Sequence, residues 1–260
     1  MLTTASSKLI PLEKRIIFAL DVDSVKEAKE WVERLKDRIK FYKVGLQLFL
    51  SGGFNIVDWI VEQGLEVMVD LKFFDVPQTV ASAIRQLKGH DISFTTVHGN
   101  DAMMRAAVEA KESIAATSPK LKILAVTALT SLDQADLEDL GFKCTIEELV
   151  LKRARRALAT GCDGVVSSGL EAPRLRGELG SNFLIIVPGV RPVQNREDEQ
   201  KDEQKRDDQK RIVDLTSAFL AGADHVVVGR PIRQAADPLA VIEAMQAQIT
   251  KAFPKGLEAI

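Results

Sequence analysis

Eight short apolar runs recur along the chain, and amphipathic stretches with helix signals fill the gaps between them. This alternation constrains the fold more than any other feature. The runs are 16–20, 41–44, 66–71, 92–97, 123–129, 164–167, 184–187 and 225–228. They are near-continuously hydrophobic, which suits parallel strands buried on both faces. The helical patterns are 24–38, 54–63, 77–87, 101–116, 145–159, 173–179, 213–220 and 238–251. Ser24 with Glu27 three residues on forms a capping box, Gly64 is a helix stop, and Pro77 sits in a tolerated first turn. Eight strand–helix units in 260 residues predict an α/β fold, a (β/α)₈ TIM barrel spanning 1–260 as one domain. Residues 1–14 form an N-terminal extension. A doubly wound sheet is the structural alternative, since the repeat alone does not prove closure.

Residues 196–211 break the pattern, with six positive charges, seven negative charges and three glutamines. A solvated loop or short charged helix is expected there, within an active-site loop at 192–211. Over the whole chain, 35 basic residues nearly balance 37 acidic ones, for a net charge of −2. That provides no footprint for nucleic acid or a membrane surface. Cys144 and Cys162 form no CxxC pair, so a disulfide framework is not expected. The first residues lack the apolar run of a signal peptide, and no stretch reaches the roughly 18 apolar residues of a membrane span. A soluble, cytoplasmic protein is the expectation.

Function is argued from where polar residues fall. In a barrel the C-terminal strand ends carry the active site. Here those ends bear Asp21, Lys43, the pair Asp70 and Lys72 with Asp75 beyond, His98, Thr130, Gly189 with Arg191, and Gly229 with Arg230. Asp70 and Lys72 are two apart, so they face the same way on a strand, and Lys43 on the neighbouring strand can join them. A structural salt-bridge plug would account for one such pair, but not for alternating charges on three successive strands. Gly229-Arg230 pairs a close backbone approach with a bidentate guanidinium, at the usual phosphate position of barrels. His98 reads as a packed strand-end residue, and His90 and His225 as surface or supporting positions.

Several segments carry a family resemblance. They are Phe18-Ala19-Leu20-Asp21, Phe41-Tyr42-Lys43-Val44-Gly45, the string from Asp70 to Thr79, Val187 to Arg191, Asp208 to Ile212, and Val228 to Ile232. In that order they resemble the orotidine 5′-monophosphate decarboxylases. The resemblance implies that Lys72 protonates C6 of the pyrimidine and that Asp70 lies beside the departing carboxylate. Lys43 and Asp75 complete an Asp/Lys array. Asp21 and Lys43 bind the ribose. Asp75, Val76 and Thr79 lie on the segment that reaches into the partner's site of a homodimer. Thr130 contacts the base. Gln209, Gly229 and Arg230 hold the phosphate with Arg191 nearby, and no metal or organic cofactor takes part. The length of the charged segment departs from the family pattern, as do Val76 and Gln78 in place of isoleucine and asparagine.

The chemistry agrees with such an array. Losing CO₂ from C6 leaves an in-plane carbanion with no adjacent carbonyl sink, so the barrier is very high and the enzyme must supply a reduction near the top of the usual range, about 23 kcal/mol. An ammonium aimed at C6 stabilises that charge and then delivers a proton. The alternative is an Mg²⁺-dependent sugar-phosphate decarboxylase or aldolase of a related barrel family. Such an enzyme is expected to place a carboxylate where this chain has Lys43, and a lysine there competes with a divalent cation. A nucleotide-binding sensor without activity is the non-enzymatic alternative.

Overall fold

The structure is a computed structural model, and it describes residues 8–191, 211 and 213–253. Eight parallel strands close into a barrel. In chain order they are β1 (Ile16–Ala19), β2 (Phe41–Gly45), β3 (Glu66–Phe73), β4 (Phe94–Val97), β5 (Lys122–Val126), β6 (Gly164–Val166), β7 (Leu184–Pro188) and, after two short strands, β10 (His225–Val228). β10 pairs with both β1 and β7, which closes the ring and removes the doubly wound alternative. Closure leaves no free strand edge. The extra strands β8 (Val190–Arg191) and β9 (Val213–Asp214) pair with each other beside the barrel.

The expected helices form, with changes at their ends. Ser24 caps α2 (Val25–Leu35) by accepting from the Glu27 N–H at 3.2 Å. α3 (Leu46–Glu62) is two helical segments separated by a kink at Gly53, whose φ of 54° is not helical; the second segment begins at 54 as predicted, and the first was not expected. α4 (Pro77–Arg85), α5 (Asp101–Ser113), α7 (Ile146–Ala159), α8 (Ala172–Leu179) and α11 (Pro238–Ala252) follow the predicted order. Residues 213 and 214 are not helical as expected. They form β9, and Asp214 then caps α9 (Leu215–Leu220) by accepting from Ser217 N–H. Three short helices were not expected: α1 (Leu12–Arg15), α6 (Gln134–Asp139) and α10 (Arg230–Arg233). The fifth strand ends at Val126 rather than 129, so Thr130 lies in the following turn.

Two apolar sets build the core. One lies between barrel and helices and includes Phe18, Tyr42, Val69, Val97 and Ile185. The other fills the lumen with Ile17, Phe41, Met68, Phe94, Leu124, Ile186 and Val227. Alternation along each strand therefore aims every second residue inward. Phe41 and Phe94 pack with ring centroids 4.9 Å apart near the floor, and His225 sits edge-on to both. His225 is buried rather than superficial, because its Nδ1 meets the Lys14 carbonyl at 2.8 Å. Above this apolar plug, the inward positions become charged.

Candidate active site

Strand register brings the predicted charges together. Ala19 pairs with Lys43 across β1 and β2, and Gly45 with Asp70 across β2 and β3. Asp21, just beyond β1, accepts from Lys43 Nζ at 2.9 Å. The same ammonium lies 3.8 Å from Asp70 Oδ2, and Lys72 Nζ donates to that oxygen at 3.0 Å. The result is an alternating Asp21–Lys43–Asp70–Lys72 chain in the mouth.

Burial alone would lower the Lys43 pKa, but Asp70 and Asp21 outweigh it, so the ammonium is held above its ordinary value. Burial would likewise raise the Asp70 pKa. Lys43 and Lys72, with hydrogen bonds from Lys72 and Thr96, outweigh it and hold the carboxyl below the ordinary range. Lys43 and Asp70 are thus both charged near neutrality. Exposure is lowest in the middle of the chain: the side chains of Lys43 and Asp70 are each 12% exposed, while Asp21 is 46% and Lys72 36% exposed. The charge chain therefore opens to the mouth at both ends, with a carboxylate at Asp21 and an ammonium at Lys72.

Two glycines leave room around this chain. A Cβ on Gly45 would meet Lys43 Nζ at 3.0 Å, and one on Gly229 would meet Ala19 Cβ at 3.2 Å and Asp21 Oδ2 at 3.5 Å. Gly229 thus permits the eighth barrel strand to approach Asp21 closely. Arg230 and Arg191 are half-buried at the ends of β10 and β7, on the same face of the barrel. Thr130 is buried in the loop after β5.

Other expected positions stand apart. Asp75, Val76 and Thr79 are exposed, and Asp75 Oδ1 accepts from the Val76 N–H at 2.6 Å. Within one chain, Asp75 is not part of the charged cluster, because the chain has already turned into α4. Gln209 and nearly all of the charged segment lie outside the described residues. The last residue of that segment is not solvated as expected. Arg211 is 7% exposed and meets Glu171 Oε1 at 2.6 Å. It also donates to the Leu129 carbonyl at 2.9 Å, so it ties together the loops after β5 and β6.

His98 is half-buried against the Phe74 ring, and burial, Arg153 and Lys72 push its pKa down. It is a packed histidine at the strand end, as expected. Sequence reasoning missed two residues at the mouth. Thr96 on β4 accepts from the Lys72 N–H at 2.9 Å and donates to Asp70 Oδ1 at 2.8 Å. Arg233 donates to the Asp21 carbonyl. Strand alternation could have flagged Thr96, a polar inward position beside Asp70. Nothing in the sequence points to Arg233. Among the described residues there is no group of three or more His, Cys, Asp or Glu placed to hold a metal ion.

Comparison with known proteins bears on these groups. Residues 14–245 match the family described as orotidine 5′-phosphate decarboxylase / HUMPS. An orotidine 5′-phosphate decarboxylase of Methylococcus capsulatus is 55% identical over 252 residues, covering 96% of this chain and 98% of the relative. One of Xylella fastidiosa is 44% identical, covering 94% and 95%. The crystal structure of orotidine 5′-phosphate decarboxylase from Lactobacillus acidophilus superposes with a TM-score of 0.76 at 32% identity, covering 90% of this chain and 98% of that one.

Proposed function

Since the chain belongs to the orotidine 5′-phosphate decarboxylase / HUMPS family, we infer that its reaction is the decarboxylation of orotidine 5′-phosphate, and we assign the steps to the charged layer at the mouth. The enzyme is a carboxy-lyase of pyrimidine biosynthesis, forming uridine 5′-phosphate and CO₂. The observation that carries the assignment of roles is the Lys72 ammonium, paired with Asp70 yet 36% exposed at the mouth.

The C6–carboxylate bond breaks heterolytically, CO₂ leaves, and the electron pair stays on C6. Lys72 stabilises that pair and then transfers one proton to C6, and solvent restores the ammonium. Asp70 holds the Lys72 ammonium by a hydrogen bond and lies beside the substrate carboxylate, whose charge disappears as CO₂ forms. Lys43 neutralises Asp70 from the other side, so one carboxylate is held between two cations. Asp21 and Lys43 bind the ribose hydroxyls, and Thr130 contacts the base. Gly229 and Arg230 hold the phosphate, with Arg191 from the seventh strand and Gln209 completing that site. Phosphate contacts remote from C6 supply binding energy that positions the ring.

The chemistry needs no metal or organic cofactor on this reading, because Lys43 fills the position where a divalent cation would need a carboxylate. The test is an ultraviolet assay of orotidine 5′-phosphate loss with and without EDTA. Turnover that survives chelation is expected. A protein that binds uridine 5′-phosphate without turnover, or that stops in EDTA, would sink the assignment.

The active unit is a homodimer with shared sites on the same reading. Asp75, Val76 and Thr79 are exposed at the start of α4, beside Phe74 at 66% exposure and Val76 at 61%. Leu46 and Leu50 on neighbouring α3 are 57% and 84% exposed. Apolar groups this exposed in one region mark an interface. Mixing an Asp75 variant with an Asp70 variant restores activity if subunits share sites. Demonstrated subunit exchange without recovery would refute it. Among the described residues no helix is long and apolar enough to cross a membrane. A cytoplasmic location belongs to the same proposal, since a charged nucleotide does not cross bilayers unaided.

A further inference from the structure

The strand that carries Asp70 and Lys72 is irregular at the catalytic residues themselves. Val69 pairs with Thr95 and Phe73 with Val97, so three residues on β3 stand opposite Thr96 alone. The two extra residues form a bulge. Because their number is even, inward alternation is preserved across it, and Asp70 and Lys72 both face Thr96. Lys72 adopts φ 49°, a left-handed backbone that an unbranched non-glycine residue occupies at a cost of about 1–3 kcal/mol. Such a conformation persists only where its surroundings over-determine it.

The surroundings here consist of one hydroxyl. Across the bulge, the Lys72 N–H has Thr96 Oγ1 as its acceptor, at 2.9 Å. That hydroxyl in turn donates a hydrogen bond to Asp70 Oδ1 at 2.8 Å. The other Asp70 oxygen accepts from Lys72 Nζ at 3.0 Å. Backbone, hydroxyl, carboxylate and ammonium close a ring that fixes both ends of Lys72. Thr96 is 0% exposed, so no bulk water competes for the bonds. An oxygen that accepts and donates at once is required, and valine, of the same shape, does neither.

We propose that Thr96 is a positioning residue for the decarboxylation: it replaces the missing ladder acceptor at the bulge, holds the Lys72 backbone left-handed, and orients Asp70 so that the ammonium is aimed at the reacting carbon. This rests on the assignment of Lys72 as proton donor. Thr96 itself need not touch substrate.

The neighbouring residue supplies a matched control. Thr95 on the same strand is equally buried, and its hydroxyl donates to the Val69 carbonyl at 2.9 Å. It faces the helices, away from the mouth. The experiment compares kcat and KM for orotidine 5′-phosphate in wild type, Thr96→Val, Thr96→Ser and Thr95→Val, with circular dichroism melts for each. Thr96→Val lowers kcat about 100-fold, the scale of a 1 Å misplacement, with KM changed no more than about threefold. Thr96→Ser recovers most of the rate, and Thr95→Val retains it. A Thr96→Val enzyme with wild-type kcat overturns the proposal, as does an equal loss in Thr95→Val. If Thr96→Val does not fold, Thr96→Cys, with its weakly bonding thiol, is read by the same criteria. Wild type without turnover would instead sink the assignment of Lys72, which separates the two failures.

Discussion

The two ends of the barrel both bury charge, and they do so in opposite ways. At the floor, Asp224 is fully buried and accepts from Arg176 at 2.7 Å, from Lys8 at 3.2 Å and from the Ile185 N–H at 2.8 Å. Arg176 spends its remaining donors on carbonyls of Gly222 and Phe183. The Arg176–Asp224 pair at its centre is closed to solvent, with side chains 4% and 0% exposed. At the mouth, the Asp21–Lys43–Asp70–Lys72 chain ends in a carboxylate and an ammonium that are each over a third exposed. A closed network contributes rigidity, and an open one contributes chemistry. The difference teaches that a count of ion pairs says little; what matters is whether the paired charges are enclosed or remain open to solvent at the ends of the chain.

The largest effect that can break this contrast is at the mouth. Lys72→Ala is expected to lower kcat by at least about 10⁴-fold, a barrier change of about 5 kcal/mol, while the thermal midpoint stays near wild type. A large loss of stability with modest loss of rate would make the mouth another structural plug.

The reciprocal change is at the floor. Arg176→Met leaves Asp224 buried without its closest partner, which costs about 3–5 kcal/mol in urea unfolding. At a permissive temperature, kcat per folded molecule should remain that of wild type. A selective kcat defect would show that the floor acts on the chemistry.

His225 sharpens the comparison through pH. Burial pushes its pKa down from 6.5 to about 4. The folded state therefore holds it neutral while the unfolded state takes up a proton. Its contribution is intact above pH 6.5 and is lost as pH falls toward 4. Between pH 7 and 5 the loss is about 2 kcal/mol by linkage. Urea unfolding at the two pH values measures it, and His225→Phe should flatten the difference. An unchanged slope in the variant would assign the acid sensitivity to other groups.

The smallest expected effect is the water-exposed reference. Lys26 and Glu30 approach at 4.0 Å with side chains 89% and 64% exposed. Lys26→Ala should leave the melting midpoint unchanged within error, because exposed pairs are screened and cost side-chain entropy. A clear shift would mean that burial is not what separates the two networks in the barrel from pairs on its surface.

Much of this was legible in the chain. Eight apolar runs with intervening helices and short links leave few ways to bury every strand on both faces, so barrel closure followed once β10 met β1. Asp21, Lys43, Asp70 and Lys72 were legible because burying charge is costly enough that alternating charges at strand ends need a reason. The placement of Asp75 away from its own chain's cluster was legible only through the family resemblance, since spacing on a strand says nothing about where the strand stops. The two-residue bulge was hidden as well. It preserves the alternation, so the inward reading of Asp70 and Lys72 holds although the strand between them is not regular. Arg211 was read as part of a solvated loop because its neighbours in sequence are charged, and its burial depends on Glu171, 40 residues away.

Local pattern, then, determined the number and type of elements and which charges reach the mouth, because hydrophobic periodicity and desolvation act residue by residue. Tertiary structure alone decided which charges are left open and how they are aimed. Lys43 and Asp70 are enclosed by neighbouring strands, and Lys72 is turned by a left-handed backbone that a threonine on the next strand holds in place. That outcome depends on register between strands, a property of pairs of segments that no single segment encodes.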